Sequence, residues 1–290
     1  MKVLVIGSGG YLGSRLCDRL ASDGHDVRRA SSSDGTGLDP QTGLLPEAFR
    51  IGAGTGVVVY LAHSPFYHDL PSRLDHVLHV NAVSAVRVAE RSAAAGVRRF
   101  VYASSGSVYR PAWSPLAEDA PLRTDDLYAL SKILGETALR ALADDLALTV
   151  FRPFGIYGPG QSGMLVSGLL ARLAARDPVY LEANPHDPAD TGGLRLSLCY
   201  VDDAVACLCQ AAVEGGPDVV NLAGPEALSV AALARQLGAL LGQPPDLRPQ
   251  GSPGRVGDLV ADVSRLRPYA RVEWTPAAVG LARTVEAWRA

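Results

Sequence analysis

The chain has 290 residues, room for one large domain or two intimate ones at roughly 100 to 200 residues each. Its 48% hydrophobic and 20% charged residues exclude disordered, collagen-like and coiled-coil classes. Lys+Arg 27 against Asp+Glu 30 leaves a net charge of −3 with no basic patch, so no nucleic-acid partner is expected. The apolar runs at 3–6 and 57–62 are too short to span a bilayer, and glycines follow the first, so neither reads as a signal peptide or a membrane anchor. Cys17, Cys199, Cys207 and Cys209 have no zinc spacing and no small secreted framework to staple, so free thiols, no metal and a cytoplasmic location are expected. Of the 27 basic residues only Lys2 and Lys132 are lysines, so a lysine inside a motif carries weight.

In chain order, the run at 3–6 is followed by glycines and then by Leu12, Leu16 and Leu20 at a helical spacing of four, which predicts strand, turn and helix. Asp23-Gly24 stops that helix, and residues 25–30 read as a second short strand. The Ser/Gly/Pro-rich stretch 31–46 reads as loop, with one more short strand near Leu38. Every residue of 57–62 is apolar, the pattern of a parallel strand buried on both faces. Residues 75–95 predict a helix stopped by Gly96, 99–104 a strand, 127–142 a helix and 147–152 a strand. Strands alternating with helices require right-handed crossovers, and the expected fold is a doubly wound α/β parallel sheet of the Rossmann type. Past residue 158 the beat loosens into Pro/Gly-rich loops at 182–194 and 243–257, with strands near 196–201 and 218–222 and helices over 202–213 and 229–241.

Three motifs carry chemistry. Gly7, Gly10 and Gly13 follow the first strand and enter the first helix, where glycines give a tight turn, close backbone approach to a pyrophosphate and close helix packing. Thirty glycines in 290 residues would produce such a triplet by chance about 0.3 times per chain, so its position after the first strand is what gives it weight. Tyr128 and Lys132 stand one helical turn apart, so phenol and ammonium emerge on one face, and the positive charge is expected to lower the tyrosine pKa towards the working pH. With ten tyrosines and two lysines, such a pair arises by chance about 0.07 times, against which stands a stray tyrosine on a solvated helix face. Ser105 and Ser107 lie in the loop after the strand 99–104, where a hydroxyl can hydrogen-bond an oxygen that gains charge, although a Ser/Gly loop is more often only a turn.

In this order and spacing, the motifs resemble those of the extended short-chain dehydrogenase/reductases, in particular the NAD-dependent epimerase/dehydratase group that acts on nucleotide sugars. Further similar stretches are LAHS at 61–64, Asn81 in HVNAVSAVRVAE, FVYASSGSVY at 100–109, YALSKILGE at 128–136, FRPFGIYGPG at 151–160, YVDDA at 200–204 and NLAG at 221–224. The resemblance implies a dinucleotide-binding Rossmann domain over residues 1–160, to which the strands near 196–201 and 218–222 return, and a small α/β lobe over 161–290 that mainly binds substrate. It implies that Ser105, Tyr128 and Lys132 are catalytic, with Lys132 also holding the nicotinamide ribose. It implies a cofactor surface of Gly7, Gly10, Tyr11, Leu12, Gly13, Leu61, Ala62, His63, Asn81, Arg152 and Pro153, with a buried structural ion pair as the competing role for Arg152. Substrate contacts are expected from Ser107, Arg195 and Tyr200, and the resemblance allows a homodimer.

The departures matter as much. Where NAD-preferring relatives carry an acidic residue for the ribose 2′-hydroxyl, this chain has Ser31, preceded by Arg28 and Arg29, which leans towards NADP(H) over NAD(H). The family's arginine four residues before the aromatic of YVDD is Leu196 here, with Arg195 one residue off, and such a shift reverses the face of a strand. The expected function is an NAD(P)-dependent oxidoreductase of a nucleotide-activated sugar, a 4-keto reductase before a 4-epimerase with tightly bound NAD. Reduction of a non-sugar carbonyl stays open, and a non-catalytic NADP-binding regulator is remote because it would not need Ser105, Tyr128 and Lys132.

Overall fold

Alternate residues of the first strand face opposite sides of a sheet and all of them are apolar: Val3 and Val5 enter one core, Leu4 and Ile6 the other. The same division separates Val57 and Val59 from Val58 and Tyr60, so the sheet is buried on both faces, as a parallel sheet requires. The structure is a computed structural model, and it describes residues 1–142, 146–251 and 254–289. Strands β1 (Lys2–Ile6), β2 (Asp26–Ala30), β3 (Thr55–Tyr60), β4 (Arg99–Ala103) and β5 (Ala147–Pro153) join the strand Val219–Leu222 in one six-stranded sheet. Its order is Val219–Leu222, β5, β4, β3, β1, β2, and every pair is parallel. The chain order reverses at β1, which has β2 on one side and β3 on the other, and the crevice beyond the carboxyl ends of β1 and β3 is where such sheets take ligands.

Helix α1 (Tyr11–Ser22) follows β1, and Leu16, Cys17 and Leu20 bury its apolar stripe. The segment predicted as one helix over 75–95 is instead α2 (Leu74–Leu78), a π-turn at His79–Val83 and α3 (Ser84–Ala94). Helix α4 (Leu127–Arg140) is capped by Asp126, whose carboxylate accepts from the Ala129 amide at 2.8 Å.

Two sequence expectations are corrected. No strand forms near Leu38, which is buried within a turn-rich loop held by Asp39 and Thr42 rather than by a ladder. The segment 196–201 does not return to the large sheet: Arg195–Ser197 pairs antiparallel with Ala227–Ser229, and Cys199–Tyr200 pairs with Ile156–Tyr157. The reason is occupancy, because Val219–Leu222 already fills the ladder on the free side of β5. In the loop 243–257, residues 252 and 253 lie outside the described residues.

Candidate active site

The glycine-rich turn is dictated by contact. Gly7 has φ +86, and a Cβ there would lie 2.6 Å from the Ala62 amide nitrogen. A Cβ on Gly13 would lie 2.1 Å from the Gly7 carbonyl oxygen. Gly10 caps α1 in extended conformation with no side-chain cap, leaving the first amides of the helix directed at the crevice. These amides, with the positive end of the helix, fit a pyrophosphate, and the residues present fit a bound dinucleotide. Leu61 and Ala62 form the opposite wall, tied by the Leu61 amide to the Ile6 carbonyl at 2.8 Å. Tyr11 and Leu12 are half-buried at the start of α1, and burial, opposed by Arg15, pushes the Tyr11 phenol up to about 12. Gly13→Ala should lower stability by about 1 to 3 kcal/mol, the usual range for overpacking against backbone, and weaken cofactor binding. A urea transition and a calorimetric titration both equal to wild type would show that the turn yields.

At the end of β2, Ser31 is buried against the Gly9 backbone and its hydroxyl meets that of Ser33 at 2.7 Å. The preceding arginines are turned to either side. Arg28 donates to the Arg50 carbonyl at 2.6 Å and covers the Phe49 ring, whereas Arg29 pairs with Asp18 of α1 at 2.5 Å.

Tyr128 and Lys132 lie in the first half of α4, and Ser105 caps the short turn after β4, its oxygen accepting from the Ser107 amide at 3.1 Å. Lys132 is 2% exposed and donates to the Ala103 carbonyl at 2.9 Å. Burial, opposed by the charge of Glu136, lowers the Lys132 pKa to about 7. Burial also raises Tyr128 above the ordinary tyrosine range, with a hydrogen bond to Ser105 pulling the other way. The expectation that Lys132 lowers the Tyr128 pKa is therefore corrected, because desolvation leaves the phenol above and not below the ordinary range. The Tyr128 hydroxyl also lies 3.2 Å from Nε2 of His63.

Three predicted contacts move. Asn81 is fully buried in the π-turn: its Nδ2 donates to Ser131 Oγ at 2.9 Å, and its carbonyl accepts from the Tyr102 hydroxyl at 2.6 Å. It anchors α4, which approaches so closely that a Cβ on Gly135 would stand 2.3 Å from the Asn81 oxygen, and it does not line the cofactor crevice. Arg152 likewise has a structural role. Its Nη2 and Nε reach Glu136 at 2.6 and 3.0 Å, and its Nη1 reaches the Tyr109 hydroxyl at 2.8 Å and the Glu118 carbonyl at 2.9 Å. Every nitrogen of the guanidinium is thus engaged within the core, while Pro153 is half-buried beside Leu222. Tyr200 is 3% exposed, its ring packed on Tyr157 with the Arg283 guanidinium 5.8 Å from its centre, which removes it from an open substrate surface. Ser107 and Arg195 are exposed, and the amide of Arg195 donates to Asp258 at 2.9 Å.

Sequence reasoning missed Arg255. It is buried, bonded to Asp258 at 3.1 Å, paired with Asp190 and set 5.1 Å from the Trp113 ring centre, so it joins the loops 182–194 and 243–257. Pro and Gly marked those loops as irregular, but only the fold brings an arginine of one to an aspartate of the other.

The family model described as the NAD dependent epimerase/dehydratase family matches residues 3–223. The chain is 31% identical to a UDP-glucose 4-epimerase of Mycolicibacterium smegmatis, over 100% of this chain and 99% of that protein. It is 27% identical to a dTDP-4-dehydro-6-deoxy-D-allose reductase of Streptomyces bikiniensis, over 99% and 96%. Among solved structures, MoeE5 in complex with UDP-glucose and NAD superimposes with a TM-score of 0.80 at 25% identity, over 100% of this chain and 99% of that one. With the parallel six-stranded sheet, the glycine turn and the convergence of Ser105, Tyr128 and Lys132, this chain belongs to the NAD dependent epimerase/dehydratase family and is an NAD(P)-dependent enzyme of that kind.

Proposed function

We propose that the protein reduces a keto group on a nucleotide-activated sugar, in the cytoplasm, with NADPH preferred to NADH. The observation that carries this reading is the end of β2. Where a carboxylate would hold a ribose 2′-hydroxyl and repel a 2′-phosphate, Ser31 and Ser33 stand hydroxyl to hydroxyl over Gly9. The Arg29–Asp18 pair nearby is exposed, and a pair of that kind is weak enough to rearrange towards a phosphate. A net reductase draws on NADPH, whereas an epimerase recycles a held NAD. The second reading, a 4-epimerase, is favoured by the full-length similarity to the mycobacterial UDP-glucose 4-epimerase.

When bound, the nicotinamide supplies a hydride to the carbonyl carbon. The chain does the rest. The first amides of α1 would hold the pyrophosphate, and Lys132 would hold the ribose hydroxyls. Ser105 and Tyr128 hold the carbonyl oxygen, and Tyr128 donates its proton there as charge develops. The raised pKa of Tyr128 keeps it protonated before the reaction, the state a donor needs.

Ser31→Asp is expected to reverse the cofactor preference. NADPH should bind the wild type more tightly by roughly 1 to 3 kcal/mol, the scale of hydrogen bonds to a charged group, and NADH should bind the variant more tightly. Calorimetric titration of both cofactors decides it. NADH binding the wild type equally well, or NAD copurifying with it, would overturn the reductase reading in favour of the epimerase. Mass spectrometry of products from a panel of nucleotide sugars and 4-keto sugars identifies the substrate.

A further inference from the structure

We propose that His63 is the proton relay that returns a solvent proton to Tyr128 after each reduction. The inference rests on the reductase reading and deepens it. The Tyr128 hydroxyl has Nε2 of His63 at 3.2 Å, with Ser105 acting on it from the turn after β4. The His63 ring is fixed by stacking: its centre lies 4.7 Å from that of Tyr67, edge to face, and 5.5 Å from that of Tyr128, while Tyr67 and Tyr128 are 5.8 Å apart. His63 is nevertheless exposed, as is His68, whose ring lies 3.7 Å from that of Tyr67. One imidazole therefore touches the half-buried proton donor at one edge, packs on Tyr67 and still reaches solvent.

Stoichiometry gives this contact its use. Each net reduction places one hydride on the carbonyl carbon and one proton on its oxygen, so Tyr128 ends each turnover as a phenolate and must be reprotonated. An epimerase gives the same proton back and has no such need. Lys132, one turn further along α4, donates to the Ala103 carbonyl and is only 2% exposed. In the relay, Nε2–H of His63 passes its proton to the phenolate, and Nδ1 takes one from water or a buffer acid. The exposed ring regains its first tautomer by exchange with solvent before the next turnover. Burial against its neighbours, and then the charge of Lys132, lower the His63 pKa well below the ordinary histidine range and keep its imidazole neutral at pH 7. A phenolate next to it reverses that balance and favours proton uptake from solvent.

The test is rapid-mixing kinetics of the full-length protein with NADPH and the keto sugar that the wild type reduces. His63→Gln keeps a polar group beside Tyr128 but cannot relay a proton, and His63→Ala opens a space for added imidazole. Both variants are expected to lose more in the steady state than in the first turnover, because Tyr128 starts protonated, with the ratio of steady-state to first-turnover rate lowered by roughly tenfold relative to wild type, less than the 10²- to 10⁴-fold contribution of a proton donor. Imidazole in the buffer should restore the steady state of His63→Ala in proportion to its concentration. A steady state equal to wild type, or an equal loss in both phases without rescue, overturns the relay. Failure of the wild type to oxidise reduced cofactor with any keto sugar overturns the reductase reading instead, and the relay with it. The contact has its own readout in cofactor-free protein: the ¹⁵N resonances of His63 should shift in Tyr128→Phe, and unchanged resonances would also overturn the proposal.

Discussion

Tyr128→Phe is expected to lower kcat by about 10²- to 10⁴-fold while cofactor affinity stays within a few fold, the magnitude that positioned proton transfer supplies. The phenyl ring keeps the packing on His63 and Tyr67, whose ring centres lie 5.5 and 5.8 Å away, so the cleft wall stays in place and only the hydroxyl is lost. Ser105 then has no phenol to hold, but its oxygen still accepts from the Ser107 amide. The loss should therefore appear in kcat more than in KM, as for an interaction used in the transition state. A kcat within threefold of wild type would remove Tyr128 from the mechanism.

The strands and the glycine turn were legible because each is set by local chemistry. Apolar residues at every position of 57–62 mark a strand buried on both faces, and Gly7 and Gly13 are required by contacts that any Cβ would violate. The pair Tyr128 and Lys132 was legible for a similar reason, since four residues in a helix fix one face. What the sequence hid is decided by long-range packing. Asn81 lies in a helical pattern, and nothing local signals that the helix widens into a π-turn to meet Ser131, fifty positions later. Leu196 and its neighbours have the composition of a sheet strand, but the place beside β5 goes to Val219–Leu222. Charge balance is equally invisible: the lone lysine of the motif reads as a fixed cation, yet its burial lowers its pKa to about 7.

Arg152→Ala is expected to destabilise the cofactor-free protein by about 3 to 5 kcal/mol, the range for removing one partner of a buried ion pair. Arg152 and Glu136 side chains are each 2% exposed, and the remaining partner of Glu136, Arg140, is 46% exposed and 3.2 Å away. An unneutralised carboxylate would then be left in the core, and the Tyr109 hydroxyl and the Glu118 carbonyl would lose their donor as well. The effect reaches the active site through α4. Glu136 stands one turn beyond Lys132 and its charge already raises the lysine pKa against burial. Freed from Arg152, the carboxylate interacts more strongly with Lys132, whose titration should move upward from about 7. Urea unfolding measures the first effect and an NMR titration of the Lys132 side chain the second. The double variant Arg152→Met with Glu136→Leu, which removes both charges and fills the space, should recover most of the lost stability, since well-packed apolar replacements of buried pairs are often neutral. If Arg152→Ala unfolds within 1 kcal/mol of wild type, the ion pair is not what fixes α4 against β5. The Lys132 position would then rest on the Asn81–Ser131 and Lys132–Ala103 bonds alone.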